Sequence, residues 1–297
     1  MKKRKHIELF DVCNTAFMLL MLLVTIYPLY YTVIASVSSA NAVAGGDVVW
    51  KPVGFTWAAY EHVFTYKPIW VGYANTIYYT VLGTIYNLVL TIPAAYALSK
   101  KNLPCRNFIM TLFLITMYFG GGMIPTYILF VNLKLLNTFW VYFVPGMFSF
   151  YNVMILRSYI EGSIPVSLSE AAQLDGASII KVLVSIVLPL SKPVLATVAL
   201  WIAVANWNDW STTMYYITND KLFTLQYKLM QVVKESERLQ QLLQQAQLTG
   251  EIITDEVKTT PESLMSAQVI VTVLPIVMVY PWIQKYFVKG VTLGAVK

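Results

Sequence analysis

The stretch "EAAQLDGASIIKVLVSIVLP", residues 170–189, decides how this chain folds. It carries two acids, one lysine and a glycine between long apolar runs. Upstream, Ser167 and Glu170 have the Ser-x-x-Glu spacing of a capping box. In that arrangement the hydroxyl accepts from the Glu170 N–H and the carboxylate reaches back to the Ser167 N–H. The expected helix runs from Leu168 to Asp175, with Glu170 in its first turn complementing the helix dipole. Ala171 and Ala172 keep one side thin enough for close packing. Gly176 can take the left-handed conformation that ends a helix. A second apolar helix, about Ala177 to Leu188, is expected to stop near Pro189. The pattern is therefore a short helix, an elbow and a membrane-surface helix, followed by a span.

The rest of the sequence supplies the membrane. The chain has 297 residues, 57% hydrophobic and only 12% charged, with a mean hydropathy of +0.60. A soluble domain carries about a quarter charged residues, so an all-α integral membrane protein is expected. A crossing needs about 20 apolar residues. Six candidate spans meet that length, at about 12–35, 70–99, 107–132, 136–157, 193–216 and 264–286. They form one transmembrane domain over 1–297, with the quoted segment (165–192) between spans four and five. A long polar loop (218–262) lies between spans five and six. Asp209 interrupts the fifth span. The basic start "MKKRKH" resembles a signal peptide, but the charge-free run Val12–Gly46 exceeds the usual 7–15 residue core of one. A retained first span is expected. Cys13 and Cys105 show no metal or disulfide spacing, and His6 and His62 are isolated.

Lys and Arg near span ends set orientation. With the N-terminus inside, the inner segments hold Lys2, Lys3, Arg4, Lys5, Lys100, Lys101, Arg106, Arg157, Lys181, Lys192, Lys285, Lys289 and Lys297. The outer segments hold Lys51, Lys67, Lys134, Lys221, Lys228, Lys234, Arg238 and Lys258, mostly in two longer loops where the rule weakens. Both termini and the 165–192 segment are then cytoplasmic.

The pattern Glu-Ala-Ala, three residues, Gly, nine residues, Ile, one residue, Leu-Pro is matched by Glu170, Ala171, Ala172, Gly176, Ile186, Leu188 and Pro189. It resembles the signature of permease subunits of ATP-binding-cassette (ABC) importers. "NWNDW", the ending "FVKGVTLGAVK" and "YFGGGMIPTYILF" are similar to the carbohydrate-uptake (maltose-type) class, in its branch for complex sugars and oligosaccharides. The resemblance implies a coupling helix that docks on a cytoplasmic ATPase, with Ser167, Glu170, Ala171, Ala172, Asp175, Gly176, Ile186, Leu188 and Pro189 as coupling residues. It implies a second homologous permease subunit, two ATPase subunits and an extracellular solute-binding protein in a bacterial cytoplasmic membrane. ATP and Mg would be used by the ATPases, with no cofactor on this chain. No G-x-x-x-x-G-K-[ST] motif is present, so the chain is expected to be no enzyme.

Three further segments carry open readings. Asn206, Trp207, Asn208, Asp209, Trp210 and Tyr215 offer carboxamides, a carboxylate and flat rings, which suit a hydroxyl-rich ligand. They equally suit an aromatic belt at the outer interface. Gly121 and Gly122, with Gly120 and Pro125, make regular helix unfavourable. They either shape a pathway or end one helix before a re-entrant segment. In the outer loop, Leu225, Leu229, Val232, Leu239 and Leu243 form a helical apolar seam. It either packs on its own domain or docks an extracellular partner. Prolines 28, 93, 145 and 275 fall inside expected spans and receive no role. A secondary transporter would need acids in several spans, and only Asp209 lies in one. A polytopic enzyme would need clustered catalytic groups at one face. A permease for a non-sugar solute would keep the same inner signature.

Overall fold

The computed structural model describes residues 9–249 and 260–295, and every described element is helical. In chain order the helices are α1 (Leu9–Ser36), α2 (Ala40–Ala44), α3 (Ala58–Thr65), α4 (Lys67–Ser99), α5 (Arg106–Tyr118), α6 (Met123–Asn132), α7 (Phe150–Ser163) and α8 (Val166–Leu174). Then follow α9 (Ile179–Val182), a π-helical turn (Leu183–Val187), α10 (Leu188–Leu190), α11 (Lys192–Trp207), α12 (Ser211–Tyr216), α13 (Leu225–Thr249) and α14 (Pro261–Ala295). The basic N-terminal residues, Lys258 and Lys297 lie outside the described residues.

Among the described residues, three helices are long and apolar enough to cross a membrane: α1, α4 and the Pro261–Met278 part of α14. Two bent pairs raise the number to at most five. The third expected span is such a pair, α5 and α6, bent by 112°. Its break is the glycine run, where Gly122 has φ +84° and ψ 173°, a region essentially reserved for glycine. The other pair joins the 179–190 segment to α11 at 82°.

The fourth expected span, 136–157, is not one helix. Asn137 turns left-handed (φ +60°), a 3-10 turn occupies Phe139–Tyr142, and α7 starts only at Phe150. At 1.5 Å per residue the 14-residue α7 is about 21 Å long, short of a hydrocarbon core of about 30 Å. Pro145 therefore sits between elements, whereas Pro28, Pro93 and Pro275 lie inside helices as expected. The fifth span ends at Trp207, since Asn208–Trp210 leave the helix before α12.

The described residues divide into two compact units. One gathers those within Met1–Lys67 and Leu229–Leu274. There the end of α1 packs Ile34 and Ala35 on Ala42, Val43 and Val48. Ser38 links this turn to the loop that follows α2: its Oγ donates to the Ile34 carbonyl (2.6 Å) and accepts from the Val53 N–H (3.2 Å).

The other unit lies within Pro68–Lys228 and Pro275–Lys297. Its main core joins α4 (Ala95, Tyr96, Leu98), α7 (Val153, Leu156, Ile160), the π-helical region (Val182, Val187) and α11 (Val194, Val198, Ile202). A second core holds Phe130, Val141, Ile217 and Phe223. Beside it runs a chain of hydroxyls. Tyr142 Oη lies 2.7 Å from Thr213 Oγ1 and donates to the Leu222 carbonyl (3.0 Å). Thr213 Oγ1 is 3.0 Å from Thr224 Oγ1, which donates to the Asp209 carbonyl (3.0 Å). Lys228 sits 4.6 Å from the Phe223 ring centre, and burial lowers its pKa from the usual lysine value. Helix α4 meets the start of α13 closely. Thr76 Oγ1 accepts from the Leu225 N–H (2.9 Å), and a Cβ on Gly72 would lie 3.2 Å from Leu225 Cα.

Candidate functional site

The 165–192 segment is built differently from its capping-box reading. Helix α8 starts two residues earlier, with Pro165 as its N-cap and no side-chain bond at that end. Pro165 holds an extended conformation (φ −58°, ψ 132°), and the Leu168 N–H donates to its carbonyl at 3.2 Å. Ser167 thus falls inside the first turn, and Glu170 lies beyond it. A cap is carried instead by Ser178, whose Oγ accepts from the Lys181 N–H (3.3 Å) to begin α9.

The elbow between them is a Schellman motif centred on Gly176. The Ala177 N–H donates to the Ala172 carbonyl (2.9 Å) and the Gly176 N–H to the Gln173 carbonyl (3.0 Å). Gly176 has φ +77°, which glycine adopts without strain. Past the elbow the helix continues through Pro189 to Leu190, beyond its expected stop. The π turn allows this. The Leu188 N–H bonds to the Leu183 carbonyl, and this wider turn relieves the clash a proline ring makes in regular helix.

One side of the segment is anchored and the other is bare. Ala172, Ala177 and Ile186 pack on the main core, and Val182 and Val187 belong to it. Glu170, Ala171 and Asp175 are exposed. Leu174, at the tip, is 89% exposed, the most of any large apolar side chain among the described residues.

Sequence reading missed a charged knot next to this anchor. Glu161 on α7 takes Arg106 of α5 (2.7 Å) and Arg157 of its own helix (3.0 Å). Both guanidinium Nε atoms also donate to the Leu98 carbonyl near the end of α4, at 2.7 and 3.1 Å. The i, i+4 spacing of Arg157 and Glu161 was its one sequence signal.

The "NWNDW" residues part company. Asp209 Oδ1 accepts from Ser211 Oγ and the Thr212 N–H, both at 3.0 Å, and so caps α12. Asn208 Nδ2 donates to the Val204 carbonyl (2.9 Å) and its Oδ1 accepts from Gln226 (3.3 Å). Trp207 is buried against Tyr73, edge to face at 6.4 Å. Trp210 and Tyr215 are exposed. Gly121 and Gly122 are exposed at the α5–α6 bend. Asn206 alone lines a cleft of about 460 Å³, shared with Asn87, Ser149, Tyr151, Asn152 and Trp201.

Known proteins share this chain's sequence and shape. Residues 68–293 match the family described as the binding-protein-dependent transport system inner membrane component. Protein LplC of Bacillus subtilis is 34% identical over all of this chain and 98% of its own length. The polygalacturonan/rhamnogalacturonan transport system permease protein YtcP of the same organism is 32% identical, over 98% of this chain and 99% of its own. A chain from the crystal structure of a bacterial ABC transporter that imports the acidic polysaccharide alginate superposes with a TM-score of 0.84. It is 31% identical, and the match covers 97% of this chain and 99% of that one. A helical membrane protein with a projecting Glu-Ala-Ala elbow on a packed core is what that family builds, and this chain belongs to it: it is an inner-membrane permease of a binding-protein-dependent ABC importer.

Proposed function

We propose that the chain forms one half of a heterodimeric translocation pathway for a sugar or oligosaccharide. A second permease supplies the other half, two ATPase subunits drive it, and an extracellular solute-binding protein delivers the cargo. ATP and Mg are bound by the ATPases. The cargo class is supported by the similar proteins named for oligosaccharide and polysaccharide transport. Both termini lie on the cytoplasmic side, a reading supported by Lys100, Lys101, Arg106, Arg157, Lys181 and Lys192 clustering at one set of helix ends. The chain crosses the membrane six times, with its third and fourth crossings made of broken segments.

The observation that carries this reading is the elbow at Gly176. Its alanine side is fixed to the core, while Leu174 projects almost wholly uncovered. A rigid apolar tip on a polar face fits a groove on a partner, and ATP-driven movement of that groove reaches α7 and α11 through the shared core. The residues we assign to coupling are Glu170, Ala171, Ala172, Asp175 and Gly176 at the elbow, with Ser167 before it and Ile186, Leu188 and Pro189 behind it. Purification from the native membrane in mild detergent tests the assembly. We expect a nucleotide-binding subunit and a second permease to co-purify, and the nucleotide-binding subunit to be lost on Leu174→Asp. A chain that stays alone through repeated mild preparations overturns the reading.

A further inference from the structure

The cleft on the α4–α7–α11 face has a donor set that no role above uses. Asn152 is only 8% exposed, yet its carboxamide makes no hydrogen bond to any described residue. Its polar atoms are not sealed in packed protein and open on the cleft. Its donors and acceptor are thus free for a ligand in the cleft. The Asn206 carboxamide lines the same cleft and is likewise unpaired among the described residues. Ser149 Oγ accepts the Asn152 N–H (3.4 Å) as the cap of α7 and keeps its own proton to donate. Asn87 is committed to the wall: it donates to the Gly146 carbonyl (2.8 Å) and accepts from Thr91 (2.9 Å). In the same lining, the Tyr151 and Trp201 rings lie 6.5 Å apart at 33°.

We propose that this cleft is a subsite on this chain for an uncharged sugar ring. The inference deepens the proposed transport function and rests on it. Each free carboxamide offers two donors and one acceptor, which suits a pair of adjacent ring hydroxyls. The aromatic pair offers a flat apolar wall to the C–H face of the ring. About 460 Å³ lies within the range of small-ligand clefts. The lining holds no Lys, Arg or His. A uronate carboxylate placed there would lose water without gaining a cation, which is strongly unfavourable. The ring taken by this chain therefore carries hydroxyls and no carboxylate, although acidic polysaccharides are named for two similar transporters.

The test uses the assembled importer in vesicles, with uptake of labelled neutral trisaccharides (galacto-, gluco-, xylo- and manno-) and of trigalacturonate and trimannuronate. We expect chain-dependent uptake among the neutral probes. Asn152→Leu, Asn206→Leu and Trp201→Ala should each cut it about tenfold, the scale of one lost hydrogen bond or ring contact. Trp201→Phe keeps a ring face and should retain most uptake. Uptake confined to the wholly uronic probes overturns the proposal, as does neutral uptake unchanged in all three variants. If the Leu variants fail to reach the membrane, the outward-facing Trp201 pair makes the same decision. Absence of uptake for every probe, with ATPase and second permease still bound, overturns the subsite and the cargo class while leaving the assembly intact. Absence of the partners themselves overturns the proposed function instead.

Discussion

Two glycines set the finest geometry. A Cβ on Gly176 would meet open space, so steric contact is not the issue; its φ of +77° is. A left-handed L-residue costs roughly 1–2 kcal/mol, more for a β-branched one. Gly176→Val should therefore leave membrane levels near normal and reduce uptake, while Gly176→Asn, which tolerates that region, should fall between. Normal uptake by Gly176→Val, at normal levels, would remove the elbow from the mechanism. At Gly83 contact decides. A Cβ there would stand 2.6 Å from Asn206 Nδ2, the far end of a short side chain. Gly83→Ala is expected to fold and to turn the Asn206 carboxamide out of its cleft position. An uptake KM raised several-fold with unchanged thermal stability would show it. A stability loss with KM unchanged would mean that Gly83 serves packing instead. The sequence made Gly176 legible because a glycine closing a short polar helix has one common use. Gly83 carried no such mark, since its constraint comes from a residue more than a hundred positions away.

At the scale of elements, the Arg106–Glu161–Arg157 knot ties three helix ends where the 165–192 segment is seated. The Leu98 carbonyl lies in the last turn of α4, where intrahelical partners run out, and two guanidinium groups serve it. Glu161→Ala would leave two cations side by side, each less than a fifth exposed. Because Glu161 itself is a third exposed, the expected loss is about 1–3 kcal/mol, below that of a fully buried pair. Thermal unfolding in detergent should show it, and Arg106→Ala with Glu161→Ala should lose less than the sum of the single changes. The long helices were legible because hydropathy alone defines them: α1 and α4 lie within a few residues of their expected spans. The fourth span was not, because Asn137, Pro145 and Ser149 each redirect the backbone inside an apolar run that hydropathy reads as continuous. The cap of α8 failed for a similar reason. The fixed backbone of Pro165 overrides the local preference of Ser167 for the cap position. Asn208 and Asp209 drew notice as polar groups near a span, but local hydrogen bonds absorb both. Asn152, in an unremarkable stretch, keeps a carboxamide with no hydrogen bond to a described residue.

Orientation belongs to the whole molecule, and the function depends on it. Coupling to a cytoplasmic ATPase requires the Gly176 elbow and the α4–α5 turn to share the inner face. Cys105 lies in that turn and is exposed, so it reports the face directly in a Cys13→Ser background. A membrane-impermeant maleimide is expected to label Cys105 in inside-out vesicles and to leave it unlabelled in right-side-out ones. Lys221, exposed between α12 and α13, should give the opposite pattern as Lys221→Cys in a background lacking both native thiols. The inner Lys and Arg bias argues for this arrangement, and a carrier of the reverse orientation would have to hold Lys100, Lys101 and Arg106 outside against it. Cys105 labelled from outside would put the elbow beyond reach of any cytoplasmic ATPase. The coupling role would then fail even if the chain still purified with partners, since those partners could not be driven by ATP from that side.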